Sequence, residues 1–149
     1  MPTLEQVLGA YPKQVKLVFK QYPLTSIHQN AKPAALATVA AQKQGKFWQM
    51  HDKIFQNQAN LMDAQGKYRF AEFAKELGMN VAKFETDMKS PELEKLIAKD
   101  QKDGADAEVT GTPSLYLNGK KVADRSFEGL KKMIEAELSK GASGATKPN

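Results

Sequence analysis

The fold of this chain is decided by Val109-Thr110-Gly111-Thr112-Pro113-Ser114-Leu115-Tyr116-Leu117-Asn118-Gly119. A Gly-Thr-Pro corner leads into a short apolar strand, and Asn118-Gly119 turns the chain back into a second short strand, Lys120–Ala123. Two such runs joined by Asn-Gly are a strong hairpin signal, because both turn residues accept a positive φ. Pro113 has no backbone N–H, and a cis bond before a proline costs only about 0.5–1 kcal/mol. The stretch therefore predicts a β-hairpin entered through a cis-proline corner.

Length and composition are those of one folded domain. The chain has 149 residues, of which 41% are hydrophobic and 26% charged, and no apolar run approaches the roughly 18 residues that span a bilayer. The first residues, Met1–Glu5, lack the basic and apolar regions of a signal peptide. The net charge of +5 is spread over lysines that alternate with acids, which is typical of a solvated surface. We expect neither membrane insertion nor a nucleic-acid partner.

The sequence contains no cysteine, which excludes structural disulfides and thiolate metal sites. The two histidines, His28 and His51, have no i,i+4 partner and no acidic cluster beside them, so we predict no metal and no cofactor. His51 is expected to lie beside Trp48 and Phe55 on a helix. The serines lack an evident base, which argues against a serine nucleophile.

Most of the remaining sequence has the periodicity of helices, and one segment has the alternation of a strand. Val15–Lys20 alternates apolar and lysine residues and predicts a strand. Helices are predicted over Thr3–Ala10, from an N-cap at Asn30 to Phe55 with a break near Gly45, over Tyr68–Leu77 and Val81–Met88, from Ser90 to about Gly104, and from Phe127 to about Leu138.

Within those helices, the sequence predicts which side chains are buried. Phe47, Trp48 and Phe55 are expected in the core of the helical region, and Leu93, Leu96 and Ile97 to face inward. The acidic residues Asp100, Asp103, Asp106 and Glu108 are expected to form a solvated helix end.

Strands near both ends of the chain, with helices between them, predict an α/β fold carrying an all-helical insertion. We place one domain at residues 1–140, the insertion at about residues 30–106, and a disordered tail at 141–149, which is small and polar.

This order of elements resembles the DsbA family of thiol–disulfide oxidoreductases, which have a thioredoxin-like fold, and short motifs extend the resemblance from about Thr3 to Leu138. Each motif is weak alone, but together they occur in the family's order and spacing: Pro23-Leu24, Ile27-His28, Asn30-Ala31, Pro33-Ala34-Ala35, Gly45-Lys46-Phe47-Trp48, Met50-His51-Asp52 and Gly111-Thr112-Pro113.

The resemblance implies a function and a site. Members of the family have a first strand that leads into a Cys-x-x-Cys pair at a helix N-terminus, where the thiolate exchanges disulfides with protein substrates that contain cysteine. The cis-proline loop binds the substrate backbone, so Thr112 and Pro113 are the implied substrate-binding residues. No catalytic residue can be carried over, because the cysteine pair has no position here. The resemblance also implies a periplasmic or other extracytoplasmic location.

Two interpretations of the missing cysteines remain. In the first, the chain is an N-terminally truncated piece of an oxidoreductase, without the first central strand and the Cys-x-x-Cys motif, because Met1 is an internal methionine mistaken for a start or because the chain is a cut fragment. In the second, the short chain is a non-catalytic module that binds extended peptides through Thr112 and Pro113. Under both, the chain alone is predicted to be inactive, because disulfide exchange needs a thiolate. An oxidase, isomerase or reductase role stays open.

The missing strand also has a consequence for stability. Without it Val15–Lys20 lacks its parallel neighbour, and unpaired buried backbone groups cost about 1–3 kcal/mol each, against a total stability of about 5–15 kcal/mol. We predict that the chain is marginally stable unless a partner strand, a swapped segment or a second copy pairs there, and a strand-swapped homodimer is one such arrangement.

Overall fold

The structure is a computed structural model that describes residues 2–144. These residues form seven α-helices and one two-stranded antiparallel sheet: α1 Pro2–Ala10, α2 Ala31–Gln42, α3 Phe47–Gln56, α4 Phe70–Glu76, α5 Val81–Met88, α6 Pro91–Asp106, β1 Tyr116–Leu117, β2 Lys120–Lys121 and α7 Phe127–Gly144. A short 3-10 turn lies at Gln58–Asn60.

The chain divides into two compact units. The described residues up to Phe19, together with those from Val109 onward, form the unit that contains α1, the hairpin and α7. Lys20–Glu108 forms the second unit, which contains α2 to α6.

The helical unit is built around α2. Its buried face consists of small residues, among them Ala37, Ala40 and Ala41, so α3, α5 and α6 can pack closely against it. The largest fully buried side chains are Met50, Phe70, Phe73 and Phe84. Burial of each such side chain stabilises the fold by about 1.5–3 kcal/mol, so this apolar cluster holds the unit together.

Two helices of this unit begin with a side-chain cap, whereas a third does not. The side chain of Asn80 accepts a hydrogen bond of 2.9 Å from the backbone N–H of Lys83 at the start of α5. Ser90 accepts one of 3.3 Å from the N–H of Glu92 at the start of α6. Asn30 precedes α2 as predicted, but its side chain makes no cap. It accepts a hydrogen bond of 2.9 Å from the Tyr68 hydroxyl instead.

The other unit packs α1 against α7 over the hairpin. Its buried residues are Val7, Val122, Leu130 and Ile134. Tyr116 pairs with Lys121 and Leu117 with Lys120. Asn118 and Gly119 have φ values of 48° and 78°, so the turn is of the mirror-image kind that fits the twist of a hairpin.

The prediction of a strand at Val15–Lys20 is wrong for the described residues. Within residues 2–144 this segment pairs with no strand, and its exposed fractions reach 63% at Val18 and 40% at Phe19. Its alternating pattern suits a strand, but a strand also needs a neighbour for its backbone N–H and C=O groups. Val15 alone of the segment packs against the hairpin-side apolar cluster.

Buried polar contacts replace part of the predicted apolar face of α6. Leu96, expected to face inward, is 40% exposed, whereas Asp100, expected in solvent, is buried. Asp100 accepts hydrogen bonds of 2.9 Å from Lys20 Nζ and of 2.9 Å from the backbone N–H of Gln21. Hydrogen bonds to Asp103 and Asp100 raise the pKa of Lys20, so the lysine stays charged in this contact.

The aromatic face of α3 is less buried than predicted. Trp48 is 43% exposed and Phe55 57% exposed, so the expectation of a core position is wrong for both. The neighbourhood of His51 is confirmed, because its ring centroid lies 5.5 Å from that of Trp48 and 4.6 Å from that of Phe55. The Nδ1 atom of His51 is 2.9 Å from a carboxylate oxygen of Asp52.

The last helix is longer than predicted. α7 continues past Leu138 to Gly144, so the first part of the segment predicted as a disordered tail is helical. The rest of that tail, residues 145–149, lies outside the described residues. Across the described range no helix has the length and apolarity needed to cross a membrane, and no group of three or more metal-ligating side chains occurs.

Candidate functional site: the Thr112–Pro113 loop

The loop that leads into β1 carries both predicted site residues on the surface. The peptide bond between Thr112 and Pro113 is cis, and both side chains are exposed. The hydroxyl of Ser114 donates a hydrogen bond of 2.7 Å to the carbonyl oxygen of Gly111, which braces the loop across its base. The backbone N–H of Val122 donates one of 2.8 Å to the carbonyl of Leu115. The loop therefore continues directly from the hairpin ladder.

A side chain from the segment just before α7 contacts the loop. Nη1 of Arg125 donates a hydrogen bond of 2.9 Å to the carbonyl oxygen of Pro113. This contact joins residues 12 positions apart in sequence. It orients the Pro113 carbonyl toward the guanidinium.

Arg125 is itself positioned by a capped helix start. Asp124 Oδ1 accepts a hydrogen bond of 2.9 Å from the N–H of Ser126, and the Ser126 hydroxyl accepts one of 3.1 Å from the N–H of Gly129. Hydrogen bonds from Ser126 lower the pKa of Asp124, so its carboxylate stays ionised. A Cβ on Gly129 would lie 2.6 Å from the carbonyl oxygen of Asp124, which makes glycine the residue that fits.

The far end of the hairpin is fixed to α7 by ion pairs. Glu137 accepts hydrogen bonds of 2.7 Å from Lys120 Nζ and of 2.9 Å from Lys140 Nζ. These bonds, with a weaker one from Asn118, lower the pKa of Glu137 to about 2, and the bond to Glu137 raises the pKa of Lys120. The hairpin is thus held at one end by Arg125, just before α7, and at the other end by Glu137 in α7.

The backbone of Thr112 is open for binding. Among the described residues, neither its N–H nor its C=O has a hydrogen-bond partner. One donor and one acceptor on an exposed loop can pair with the backbone of another extended chain, as in the addition of a strand to a sheet edge.

Two shallow grooves flank the loop. One, of about 280 Å³, is lined mainly by the apolar side chains of Pro2, Leu4, Pro113 and Leu115. The other, of about 390 Å³, lies between the loop and the segment Lys121–Ala123. Pro113, Leu115 and Arg125 border both. An extended peptide bound at Thr112 would lie beside grooves that can receive its side chains.

The described residues that line the site include no thiol and no serine hydroxyl bound to a base. The sequence contains no cysteine, and the Ser114 hydroxyl donates its hydrogen bond to a carbonyl rather than to a base. Neither histidine lines either groove. The arrangement can bind and orient a chain, whereas a thiolate for disulfide exchange is absent.

Of the three residues of this candidate site, the sequence predicts two and does not indicate the third. Thr112 and Pro113 carried a motif, but Arg125 did not. Its only signals were that it is one of two arginines in the sequence and that it directly precedes the N-cap Ser126 of α7.

The sequence matches the model of a family described as Thioredoxin over residues 2–136. The chain belongs to this thioredoxin family. The predicted α/β, thioredoxin-like fold is therefore confirmed, in a form that is mostly helical with a small sheet.

The similar proteins carry two different names. The chain is 29% identical over 137 residues to a probable disulfide bond formation protein D from Bacillus anthracis, which covers 85% of this chain and 59% of that protein. The Bacillus cereus protein of the same name is 28% identical over 136 residues, covering 85% of this chain and 60% of that protein. The chain therefore spans about three fifths of the length of these two relatives.

A second kind of relative is much longer. A protein named Na(+)/H(+) antiporter NhaA 3 from Salinispora tropica is 33% identical over 121 residues, which are 80% of this chain and 18% of the antiporter. The similarity is thus confined to less than a fifth of that protein.

Proposed function

We propose that this chain is the substrate-binding part of a disulfide-bond-forming protein of the thioredoxin family, and that an extended segment of a protein substrate pairs with the backbone of Thr112. One observation carries the proposal: the N–H and C=O of Thr112 are unpaired within the described residues, at an exposed loop between two grooves. The family match and the Bacillus relatives support a role in disulfide chemistry.

The sulfur chemistry has to come from a cysteine pair outside these 149 residues, because they contain no cysteine. To form a disulfide in the substrate, a substrate thiolate attacks one sulfur of that oxidised pair, the other sulfur leaves as a thiolate, and a mixed disulfide forms; a second substrate thiolate then displaces the pair, which is released in its reduced form. A chain held at Thr112 would place its cysteine for the first attack. We place the reaction in an extracytoplasmic compartment, since protein disulfides persist where the surroundings are oxidising.

A second candidate function uses the same site without redox chemistry. In it, the chain is a non-catalytic module that binds extended peptides whether or not they contain cysteine. The absence of cysteine from the sequence favours this candidate, whereas the names of the Bacillus relatives favour the first. The similarity to the antiporter supports neither candidate, because it spans only 18% of that protein.

Peptide binding tests what both candidates share. The probe is an unlabelled decapeptide of alternating valine and serine with a central S-methylcysteine, titrated into the ¹⁵N-labelled chain. We expect the largest chemical-shift changes at the amides of Thr112 and Leu115. Pro113→Ala should weaken binding about tenfold, because it removes an apolar wall that both grooves share. Pro12→Ala is the matched control, since Pro12 is exposed and borders neither groove. Absence of binding, or equal loss in the two variants, would contradict the proposal.

The mass of the native protein, taken from its source, distinguishes the two candidate functions. Intact mass is measured before and after reduction and thiol alkylation. A species heavier than 16.5 kDa that takes up two alkyl groups supports the disulfide-forming protein. A species of 16.5 kDa without uptake supports the non-catalytic module.

A further inference from the structure

The charged side chains that line the grooves at the Thr112–Pro113 loop are all positive. The residues that line the two grooves include the cations Arg125 and Lys121, and no aspartate or glutamate is among them. Within residues 2–144, neither cation has a carboxylate at ion-pair distance. By contrast, the adjacent Lys120 is paired with Glu137 at 2.7 Å.

The nearest acid in sequence is already engaged. Asp124 precedes Arg125, but its carboxylate accepts the Ser126 N–H at 2.9 Å and lies against Gly129. It therefore caps α7 and leaves the positive charge of Arg125 uncompensated beside the loop.

Arg125 is fixed in place and still has donors to spare. A guanidinium carries five N–H groups, and the described contact uses one of them, on the Pro113 carbonyl. Two of the remaining N–H groups can bind a carboxylate side by side, which is the strongest geometry for this pair. Because the hydrogen bond to Pro113 already orients the side chain, less freedom is lost when a carboxylate binds.

We infer that the site selects extended peptides that carry a carboxylate next to the residue paired with Thr112, with Arg125 as the specificity-determining side chain and Lys121 as a second, weaker cation. This inference rests on the proposed function. The acidic side chain lies within about two residues of the paired position, because an extended chain rises about 3.3 Å per residue. Its apolar neighbour enters the groove lined by Leu4, Pro113 and Leu115.

The test uses the full chain and pairs of decapeptides that differ in one atom group. Each peptide alternates valine and serine around a central S-methylcysteine, and glutamate or glutamine is placed at one position after another. At one position we expect the glutamate peptide to bind about fivefold more tightly, in the range of a partly exposed ion pair. Only this peptide should shift the side-chain Nε–Hε resonance of Arg125. The preference should shrink as salt is raised from 50 to 500 mM.

Four variants test which side chain causes the preference. Arg125→Gln should abolish it, Lys121→Gln should reduce it, and Lys13→Gln should leave it intact because Lys13 is exposed and borders neither groove. Arg125→Lys distinguishes an effect of charge from a merely structural effect. It keeps the positive charge but loses the guanidinium fork, so it should retain part of the preference that Arg125→Gln abolishes. Thermal unfolding of each variant checks that it folds.

The outcomes separate this inference from the proposed function. Equal affinity for glutamate and glutamine peptides at every position would overturn the inference and leave the proposed function standing. Retention of the preference in Arg125→Gln would also overturn the inference. Absence of binding by any peptide would overturn both. Tighter binding of single-stranded DNA than of the glutamate peptide, lost in Arg125→Gln, would assign the cations to phosphate and overturn it as well.

Discussion

Gly104 in α6 packs directly against the ring of Tyr22, so closely that a Cβ on this glycine would lie 2.7 Å from two ring carbons. Atoms at that distance overlap, and the rigid aromatic ring can relieve the overlap only by moving as a whole. The contact joins α6 to the segment that precedes α2, within the helical unit. Position 104 therefore requires glycine, because any larger residue would overlap the Tyr22 ring.

We expect Gly104→Ala to destabilise the chain. Overpacking costs about 1–3 kcal/mol, whereas the better helix propensity of alanine returns about 1 kcal/mol, so the net loss is up to about 2 kcal/mol. Urea unfolding followed by circular dichroism measures the change. Gly9→Ala in α1 is the matched control, because no atom lies within 4 Å of its Cβ, and it should be neutral or stabilising. An equally stable Gly104→Ala variant would show that the ring is free to shift.

The helix cap at Ser126 supports both α7 and the position of Arg125. Ser126→Ala removes the hydroxyl that accepts the Gly129 N–H at 3.1 Å, and loss of such a cap costs about 1 kcal/mol. We expect a lower unfolding midpoint in urea, together with weaker peptide binding at the Thr112–Pro113 loop. Ser26→Ala, in an exposed turn, should change stability by less than about 0.5 kcal/mol. A Ser126→Ala variant as stable as this control would contradict the role of the cap.

Sequence signals predicted the structure where a feature depends on neighbouring residues. The cap at Ser90, the Asn118-Gly119 turn and the proline corner all rest on local backbone chemistry, and each lies where the sequence predicts it. The proline corner is also one of the motifs by which the chain resembles the family. The same corner contains Thr112 and Pro113, two of the three residues of the candidate site.

The features that the sequence did not reveal depend on residues far apart in the chain. Asp100 is buried because Lys20 and Gln21, about 80 positions away, supply its hydrogen bonds, so helical periodicity could not distinguish it from a solvated acid. Arg125 belongs to the site because the hairpin brings the Pro113 carbonyl to it. The prediction of a strand at Val15–Lys20 is wrong for a related reason. The alternating pattern of this segment is typical of a strand, but no neighbouring strand pairs with it in the described part of the chain.

Acid should loosen the attachment of the hairpin to α7. Hydrogen bonds from Lys120, Lys140 and Asn118 lower the pKa of Glu137 from its ordinary 4.5 to about 2. A carboxyl whose folded pKa is depressed stabilises the fold above its unfolded pKa, and this contribution is lost as the pH falls through the folded pKa. The contribution of Glu137 is therefore complete above about pH 5 and disappears between about pH 4.5 and 2.

Glu137→Gln tests this assignment, because it removes the titrating group and keeps the shape. We expect the variant to be less stable than the unaltered chain at pH 7, and the difference to shrink as the pH is lowered toward 2. Urea midpoints at a series of pH values give the two curves. Glu85→Gln is a suitable control, since Glu85 is exposed on α5 and makes no described ion pair. Parallel curves for Glu137→Gln and the unaltered chain would show that Glu137 does not set this pH dependence.

The exposed segment around Val18 should make the chain self-associate. Val18 and Phe19 are 63% and 40% exposed, and the backbone beside them pairs with no strand among the residues described. A segment with a strand-like pattern and exposed apolar side chains offers a template for pairing with another chain. We therefore expect concentration-dependent dimers, of the strand-swapped kind that the sequence suggests, in sedimentation velocity runs between micromolar and millimolar protein.

A charge at the pairing segment should prevent this association. Val18→Lys places a charge where a neighbouring strand would pack, which is a device that natural edge strands use against pairing, so the variant should stay monomeric at concentrations where the unaltered chain dimerises. Ile27→Lys is the matched control: Ile27 is 68% exposed, but it lies in a turn of the other unit rather than in the extended segment. If Ile27→Lys abolished dimers as effectively as Val18→Lys, general surface apolarity would be the cause. If the unaltered chain were monomeric throughout the range, the segment would not be a pairing edge in solution.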